Sequence, residues 1–206
     1  MKRAVIWAGV LAAAIFGGCA TIADREARQA EAAATMQRDL HARGIASMDR
    51  LRQDELQSAC TRYRSQLPAD VEQRLAAQQL AAIVLPGDGR LMGDWKRGKA
   101  IAESGRGMTW SDRPNDPSGG SCYNCHQLSL QQTSFGSLGP SLRHFGKLRG
   151  YTPEMQKYAY QRIYNSKAFT PCSTMPRFGT SGTLTETQIR DLVAYLMDPQ
   201  SPVNKD

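Results

Sequence analysis

Apolar residues recur every three or four positions in four separate stretches of the chain, which is the spacing of one face of a helix. These stretches are 45–67, 71–83, 152–163 and 185–196. The last has the clearest boundaries, because Thr185 and Gln188 have the spacing of a capping box and Pro199 follows its end. No stretch alternates between apolar and polar residues as a half-buried strand does. The pattern therefore predicts an all-α fold.

The chain is predicted to contain a helical extension, residues 21–90, and a C-terminal domain, residues 91–206. Residues 24–43 are rich in Ala, Glu, Arg and Gln and hold almost no large apolar residue, which indicates an exposed helix. Residues 45–85 are predicted to form a helical hairpin that packs on the C-terminal domain. That domain opens with a helix whose glycine would allow a second helix to cross closely. Residues 104–121 form an irregular loop to which we assign no role.

The first twenty residues have the composition of an export signal. Lys2 and Arg3 precede an uncharged run that is too short to span a bilayer comfortably, and small residues follow it. The end of the signal allows two interpretations. Cys19 ends a sequence similar to a bacterial lipobox and would then be lipidated, whereas cleavage after Ala20 or Ala23 would remove it. Both interpretations place the mature chain in the periplasm, and the first also attaches it to a membrane.

The sequence Cys122-Tyr123-Asn124-Cys125-His126 has the spacing C-x-x-C-H. Two thiols at this spacing can add to the two vinyl groups of one haem, and the adjacent histidine can bind the iron from the same side. A zinc site would need a second pair of ligands, and a dithiol redox site would need a βαβ context. Neither is visible in the sequence. The motif predicts one covalently bound haem c, with Cys122 and Cys125 as attachment residues and His126 as proximal ligand.

Two further residues are expected at this haem. Pro140 lies fourteen residues after His126, where its carbonyl group can accept the Nδ1 proton and fix the tautomer. Met175 is the strongest candidate for the second axial ligand, because two prolines stiffen its loop and a thioether ligand favours ferrous iron. His144 is a weaker candidate, since it follows the Gly-Pro turn too closely to reach the opposite face easily.

The chain has 206 residues and a formal net charge of +7, and the signal carries two of the basic residues and no acidic one. Export and the lack of an Arg/Lys-rich arm argue against nucleic acid as a partner. Between Pro140 and Thr180 there are seven Lys or Arg residues and one acidic residue, Glu154. This segment flanks the expected haem edge and would attract an acidic protein surface. A generally solvated basic face explains the same charges.

Cys60 and Cys172 remain after the haem cysteines and Cys19 are assigned. In an oxidising compartment two such thiols are expected to form a disulfide if the fold brings them together. Two buried free thiols are the alternative. A bridge would tie the extension to the loop that contains the candidate distal ligand.

The order of these motifs resembles the monohaem class I cytochromes c. Residues 91–96, 151–158 and 169–179 are more specifically similar to SoxX, the family of small cytochrome subunits in the SoxXA complexes of bacterial thiosulfate oxidation. The extension with Cys60 is similar to the longer members of that family. The resemblance covers most of the mature chain and implies a class I cytochrome c fold with an N-terminal helical extension.

The resemblance implies the electron-relay subunit of an L-cysteine S-thiosulfotransferase, with no catalysis by this chain alone. In that family a SoxA partner with one or two haems couples thiosulfate to a cysteine of the carrier SoxYZ. SoxX accepts the electrons and passes them to a soluble cytochrome c. Carried over by position, Cys122 and Cys125 hold the haem, His126 is proximal and Met175 is distal. A free-standing periplasmic electron shuttle and a haem-based sensor are the alternatives.

Overall fold

The computed structural model describes residues 21–205. The predicted signal and the candidate lipidation residue Cys19 lie outside the described residues. The chain divides into two compact units, one ending at Asp39 and the other beginning at Leu40. Residues 40–90 of the predicted extension therefore belong to the same unit as the C-terminal domain.

The first unit contributes one helix to the described part of the chain, α1 (Ile22–Asp39). The Thr21 hydroxyl and the Asp24 carboxylate, 2.8 Å apart, close its N-terminal turn. Nearly all described side chains of this helix are exposed, as its composition predicts. Within residues 21–205, no helix combines the length and apolarity needed to cross a membrane.

The second unit contains six further α-helices. They are α2 (Glu55–Arg62), α3 (Ala69–Ala81), α4 (Trp95–Glu103), α5 (Phe145–Arg149), α6 (Pro153–Tyr164) and α7 (Glu186–Met197). Short 3₁₀ turns occur at Met48–Leu51, Cys122–Asn124 and Ser166–Ala168. Across residues 21–205, β structure is confined to one isolated bridge between Arg43 and Ala46. The prediction of an all-α fold is confirmed.

Side-chain caps set the starts of α4, α6 and α7, and the one at Thr185 was predicted. Asp94 accepts a hydrogen bond from the backbone N–H of Lys96 at 2.7 Å, Thr152 caps α6 and Thr185 forms a capping box with Gln188. The predicted helix over 45–67 is shorter than its apolar pattern. The reason is local, because a capping box starts α2 at Asp54 and two residues with left-handed backbone follow its end. The short helix α5 was not predicted.

Helices α4 and α7 cross closely and form the centre of the second unit. A side chain at Gly98 would overlap the carbonyl oxygen of Asp191, so the crossing requires glycine there. The same place holds an ion pair between the buried carboxylate of Asp191 and the exposed side chain of Arg97. The Asp191 carboxylate, whose side chain is 3% exposed, accepts two hydrogen bonds from the guanidinium of Arg97 at 2.8 and 2.9 Å and one from the backbone N–H of Asp94 at 2.7 Å.

The core lies around α7, where eight of the twelve residues are buried. Buried side chains of α6, Tyr160 and Ile163 among them, pack into the same cluster. Helix α3 of the extension packs against the turn Ser166–Ala168 that follows α6. The hydroxyl group of Tyr160 also donates to the carbonyl group of Val84 at 3.3 Å. The extension is therefore joined to the C-terminal domain on the side of α6.

Candidate haem site

A cavity of about 420 Å³ opens between the C-x-x-C-H turn, α6, α7 and the loop that follows α6. Cys122, Cys125 and His126 line it from one segment, and Met175 lines it from another. Leu192 and Tyr195 of α7 form part of its wall. The residues predicted from distant parts of the sequence thus face one mostly apolar space.

The attachment turn is held in place by backbone hydrogen bonds. The N–H groups of Cys125 and His126 both donate to the carbonyl oxygen of Cys122, at 3.1 and 2.9 Å. This tight turn brings the three motif side chains to one cavity. Just before it, the N–H groups of Gly120 and Ser121 donate to carbonyl groups at the end of α4, at 2.8 and 2.9 Å. The position of the turn therefore depends on α4.

Cys122 and Cys125 are both free thiols. Burial raises the pKa of the Cys122 thiol to about 12, which disfavours a thiolate at this position. Among residues 21–205, no group of three or more Cys, His, Asp or Glu side chains has a metal-binding arrangement. These observations disfavour the zinc and dithiol interpretations and fit thioether attachment to haem.

The turn that contains Gly139 and Pro140 fixes the orientation of the proximal histidine, His126. Its Nδ1 atom lies 2.7 Å from the carbonyl oxygen of Pro140, so the hydrogen bond expected from the sequence is present. Gly139 lies against the same ring, and a β-carbon there would come within 2.6 Å of Nδ1. The N–H of Gly139 donates to the carbonyl group of Cys125 at 2.8 Å. The turn thus leaves Nε2 as the ring nitrogen available to iron.

Met175 lies in an irregular loop whose backbone is fixed by two serines. Its N–H donates to the hydroxyl group of Ser173 at 3.1 Å, and its carbonyl group accepts from the hydroxyl group of Ser166 at 2.7 Å. The Ser166 side chain is buried. Ser166 was not predicted as a site residue. It lies in a segment without apolar periodicity, and nothing in that segment indicates a contact with a residue nine positions later.

Other candidate axial ligands do not line the cavity. His144 precedes α5 and is absent from the cavity wall, and Cys172 is bonded to Cys60 with α-carbons 5.5 Å apart. The predicted disulfide is therefore present. Met175 is the one methionine of the described chain that lines the cavity.

Two arginines place positive charge at the cavity wall. Arg149 lies over the ring of Phe145, with 5.1 Å between guanidinium and ring centre, and Arg162 donates to the Thr170 hydroxyl at 3.0 Å. Such charges favour a ligand with carboxylates, as haem has. The hydroxyl group of Tyr195, also in the wall, is buried without a hydrogen-bond partner in the described structure. The apolar wall, the attachment thiols and these polar groups fit a covalent haem.

Two comparisons with known proteins bear on this chain, and the first agrees with a haem site. The sequence profile of the family described as cytochrome c matches residues 95–199. An "Uncharacterized lipoprotein" of Aquifex aeolicus (strain VF5) is 39% identical over 155 residues, which cover 74% of this chain and 73% of that protein.

Proposed function

Because the chain belongs to the cytochrome c family, we propose that it is the electron-accepting subunit of a periplasmic thiosulfate-oxidising complex of the SoxXA type. Members of this family transfer electrons, and this protein is accordingly an electron-transfer protein with covalently bound haem c. The bound haem supplies a one-electron Fe(III)/Fe(II) couple. The thiosulfate-oxidising complex, its substrate and its partner proteins are what we propose in addition.

The chain's own residues have separate roles in this electron transfer. Cys122 and Cys125 hold the haem by thioether bonds, and His126 binds iron with its ring fixed by Pro140. Met175 is the distal ligand, and a thioether there raises the reduction potential, as an electron acceptor requires. The mostly apolar wall of the cavity would limit the access of water to the haem iron.

The observation that carries the thiosulfate proposal is the similarity of residues 151–158 and 169–179 to SoxX. These two segments form the start of α6 and the Met175 loop, so the resemblance falls on the cavity wall and its surroundings. We propose a SoxA-like cytochrome subunit as partner in a heterodimer, a SoxYZ-like carrier as the second protein and a soluble cytochrome c as acceptor. The partner performs the sulfur chemistry, and this chain conducts the electrons.

The charges near the cavity support an acidic protein partner. Arg149 and Arg162 line the cavity, and the Arg149 side chain is also exposed to solvent. Charges of one sign around an electron-transfer site speed association with a surface of the opposite sign and orient the encounter. This basic surface belongs to the segment that contains one acidic residue, Glu154.

Attachment to a membrane through Cys19 is also part of the proposal. The similar Aquifex aeolicus protein is named a lipoprotein, and residues 15–19 of this chain resemble a lipobox. The exposed helix α1 follows this position directly.

The decisive experiment measures haem reduction by thiosulfate. The ferric holo-protein is mixed with thiosulfate and a thiol-reduced, desalted SoxYZ-like carrier, with and without the SoxA-like subunit, and haem absorbance is followed. Reduction is expected only in the complete mixture. Reduction by the isolated chain would overturn the relay role. No reduction in the complete mixture, with an artificial reductant still effective, would leave the free-standing shuttle as the better description.

A pair of charge variants tests the partner surface. Arg149→Glu reverses an exposed charge at the cavity wall and should slow reduction in the complete mixture by about three- to tenfold at low salt. Arg113→Glu makes the same change in the loop 104–121, where the side chain is 88% exposed, and should have no effect. Equal rates for the two variants would contradict the basic surface as the docking site.

A further inference from the structure

The Met175 loop is tied to the N-terminal extension on both sides of the methionine. Cys172, three residues before Met175, is bonded to Cys60 in α2. Arg177, two residues after it, forms an ion pair with Asp54, 2.5 Å away, at the start of the same helix. The extension thus holds both ends of a six-residue segment that has no regular structure of its own.

A third contact joins α3 to this loop. The side-chain oxygen of Gln79 accepts hydrogen bonds from Arg177 at 3.3 Å and from Asn165 at 3.1 Å. Asn165 is fully buried and precedes Ser166, whose hydroxyl group donates to the Met175 carbonyl. One glutamine of the extension therefore connects both segments that fix the backbone of Met175.

These contacts are partly protected from solvent, which strengthens them. The Arg177 side chain is 19% exposed and the Asp54 side chain 42% exposed, so solvent screens their ion pair only in part. Leu56 and Leu75 are buried and anchor α2 and α3. Without the extension, the loop would keep the contacts of Ser166 and Ser173, the packing of its own side chains, and one backbone hydrogen bond near each end. These bonds run from Ser173 to Thr170 and from Ser181 to Arg177, each at 2.9 Å.

We infer that the extension is a brace for the distal ligand, with Cys60, Asp54 and Gln79 as positioning residues that act on Met175 through Cys172 and Arg177. An axial thioether is a weak ligand that leaves iron whenever its loop opens. The brace lowers the population of the open loop and so keeps the reduction potential high and the iron closed to other ligands. This inference rests on the proposed distal role of Met175 and is independent of thiosulfate.

The test measures how fast imidazole binds to the ferric holo-protein, because imidazole can enter only when Met175 has left the iron. The variants are Asp54→Asn, Gln79→Ala and the double variant Cys60→Ser with Cys172→Ser. Asparagine caps a helix as well as aspartate does, so Asp54→Asn removes the charge and keeps the cap. We expect binding to become about three- to tenfold faster in each single variant and about tenfold or more faster without the disulfide.

A matched control is the neighbouring residue of the same helix. Glu55→Gln also removes one negative charge at the start of α2, but Glu55 pairs with Arg74 of α3 at 2.8 Å. In the described part of the chain, no hydrogen bond or ion pair joins Glu55 to the Met175 loop. Its imidazole rate and reduction potential should equal those of the unchanged protein, whereas Asp54→Asn should lower the potential.

The outcomes separate this inference from the proposed function. Met175→Ala lacks the proposed distal ligand, so it serves as the reference for iron with a vacant sixth position and should bind imidazole fastest. If it does and the Asp54, Gln79 and cysteine variants bind at the unchanged rate, the brace is wrong and the relay proposal stands. If Met175→Ala itself binds no faster, the distal assignment and the brace both fail. If the double cysteine variant does not accumulate, Asp54→Asn and Gln79→Ala decide the result.

Discussion

The Nδ1 atom of His126 lies 2.7 Å from the carbonyl oxygen of Pro140. This contact fixes the orientation of the proximal imidazole. It depends on Gly139, because the lack of a side chain there lets the backbone lie against the ring. The geometry of the proximal ligand is therefore decided by a turn fourteen residues away in the sequence.

Gly139→Ala is expected to displace the His126 ring. The new β-carbon would come within 2.6 Å of Nδ1, and overpacking of this kind costs about 1–3 kcal/mol of unfolding free energy. Denaturant unfolding of the holo-protein measures the loss, and the haem spectrum reports the altered ligation. Gly87→Ala is the control, since a β-carbon there meets nothing within 4 Å. Equal stability of the two variants would contradict the role of Gly139.

Met175→Ala should remove the thioether ligand. The ferric protein is expected to lose its Met–Fe(III) charge-transfer band in the red. Its reduction potential should fall by on the order of 0.1–0.3 V, a fraction of the roughly 0.8 V range covered by axial ligation. Met36→Ala is the control, because Met36 is an exposed residue of α1. An unchanged red band in Met175→Ala would reject the assignment.

Arg97→Ala should destabilise the crossing of α4 and α7. It leaves the Asp191 carboxylate, 3% exposed, without its cation. Because the Arg97 side chain is 60% exposed, water can partly replace it, and the expected loss of unfolding free energy is on the order of 1–3 kcal/mol. Arg90→Ala removes an arginine that is 81% exposed and should change the unfolding free energy by less than about 0.5 kcal/mol. Adding Asp191→Asn to Arg97→Ala should recover part of the loss, and an additive effect would argue against this ion pair.

Asp88 should make the stability of the protein depend on pH in acid. The N–H of Arg90 and then the guanidinium of Arg190 lower the pKa of Asp88 below 3.8, so the folded state favours its charged form. The resulting stability is present above the unfolded pKa and is lost as pH falls through the folded pKa. The difference in unfolding midpoint between the unchanged protein and Asp88→Asn should therefore be constant above about pH 5 and shrink below about pH 4. A difference that is constant down to about pH 2 would contradict this linkage.

Cys19→Ser tests membrane attachment. Lipidation requires the Cys19 thiol, so the variant should move from the membrane fraction to the soluble periplasmic fraction. The mass of the mature N-terminus should show a lipidated cysteine in the unchanged protein only. A soluble protein in both cases, cleaved after Ala20 or Ala23, would establish the other interpretation of the signal.

The attachment site and some helix starts were predictable because the residues that determine them are close in sequence. The two cysteines and the histidine of C-x-x-C-H are neighbours in sequence, so one turn brings them to the cavity. Thr152 and Thr185 cap their helices through N–H groups three residues later. Position 98 was recognisable as a close crossing point because glycine in a helix has few other uses.

The sequence by itself determined the covalent haem, the helical class and the list of candidate ligands, because each follows from residue type and short spacing. Only the tertiary structure decided what holds the distal loop. Gln79 contacts Arg177 across 98 residues, and Arg177 pairs with Asp54 instead of other carboxylates. Such choices depend on how α2 and α3 pack, and no local pattern encodes them. The extension appears in the sequence as two amphipathic segments; packing places it against Met175.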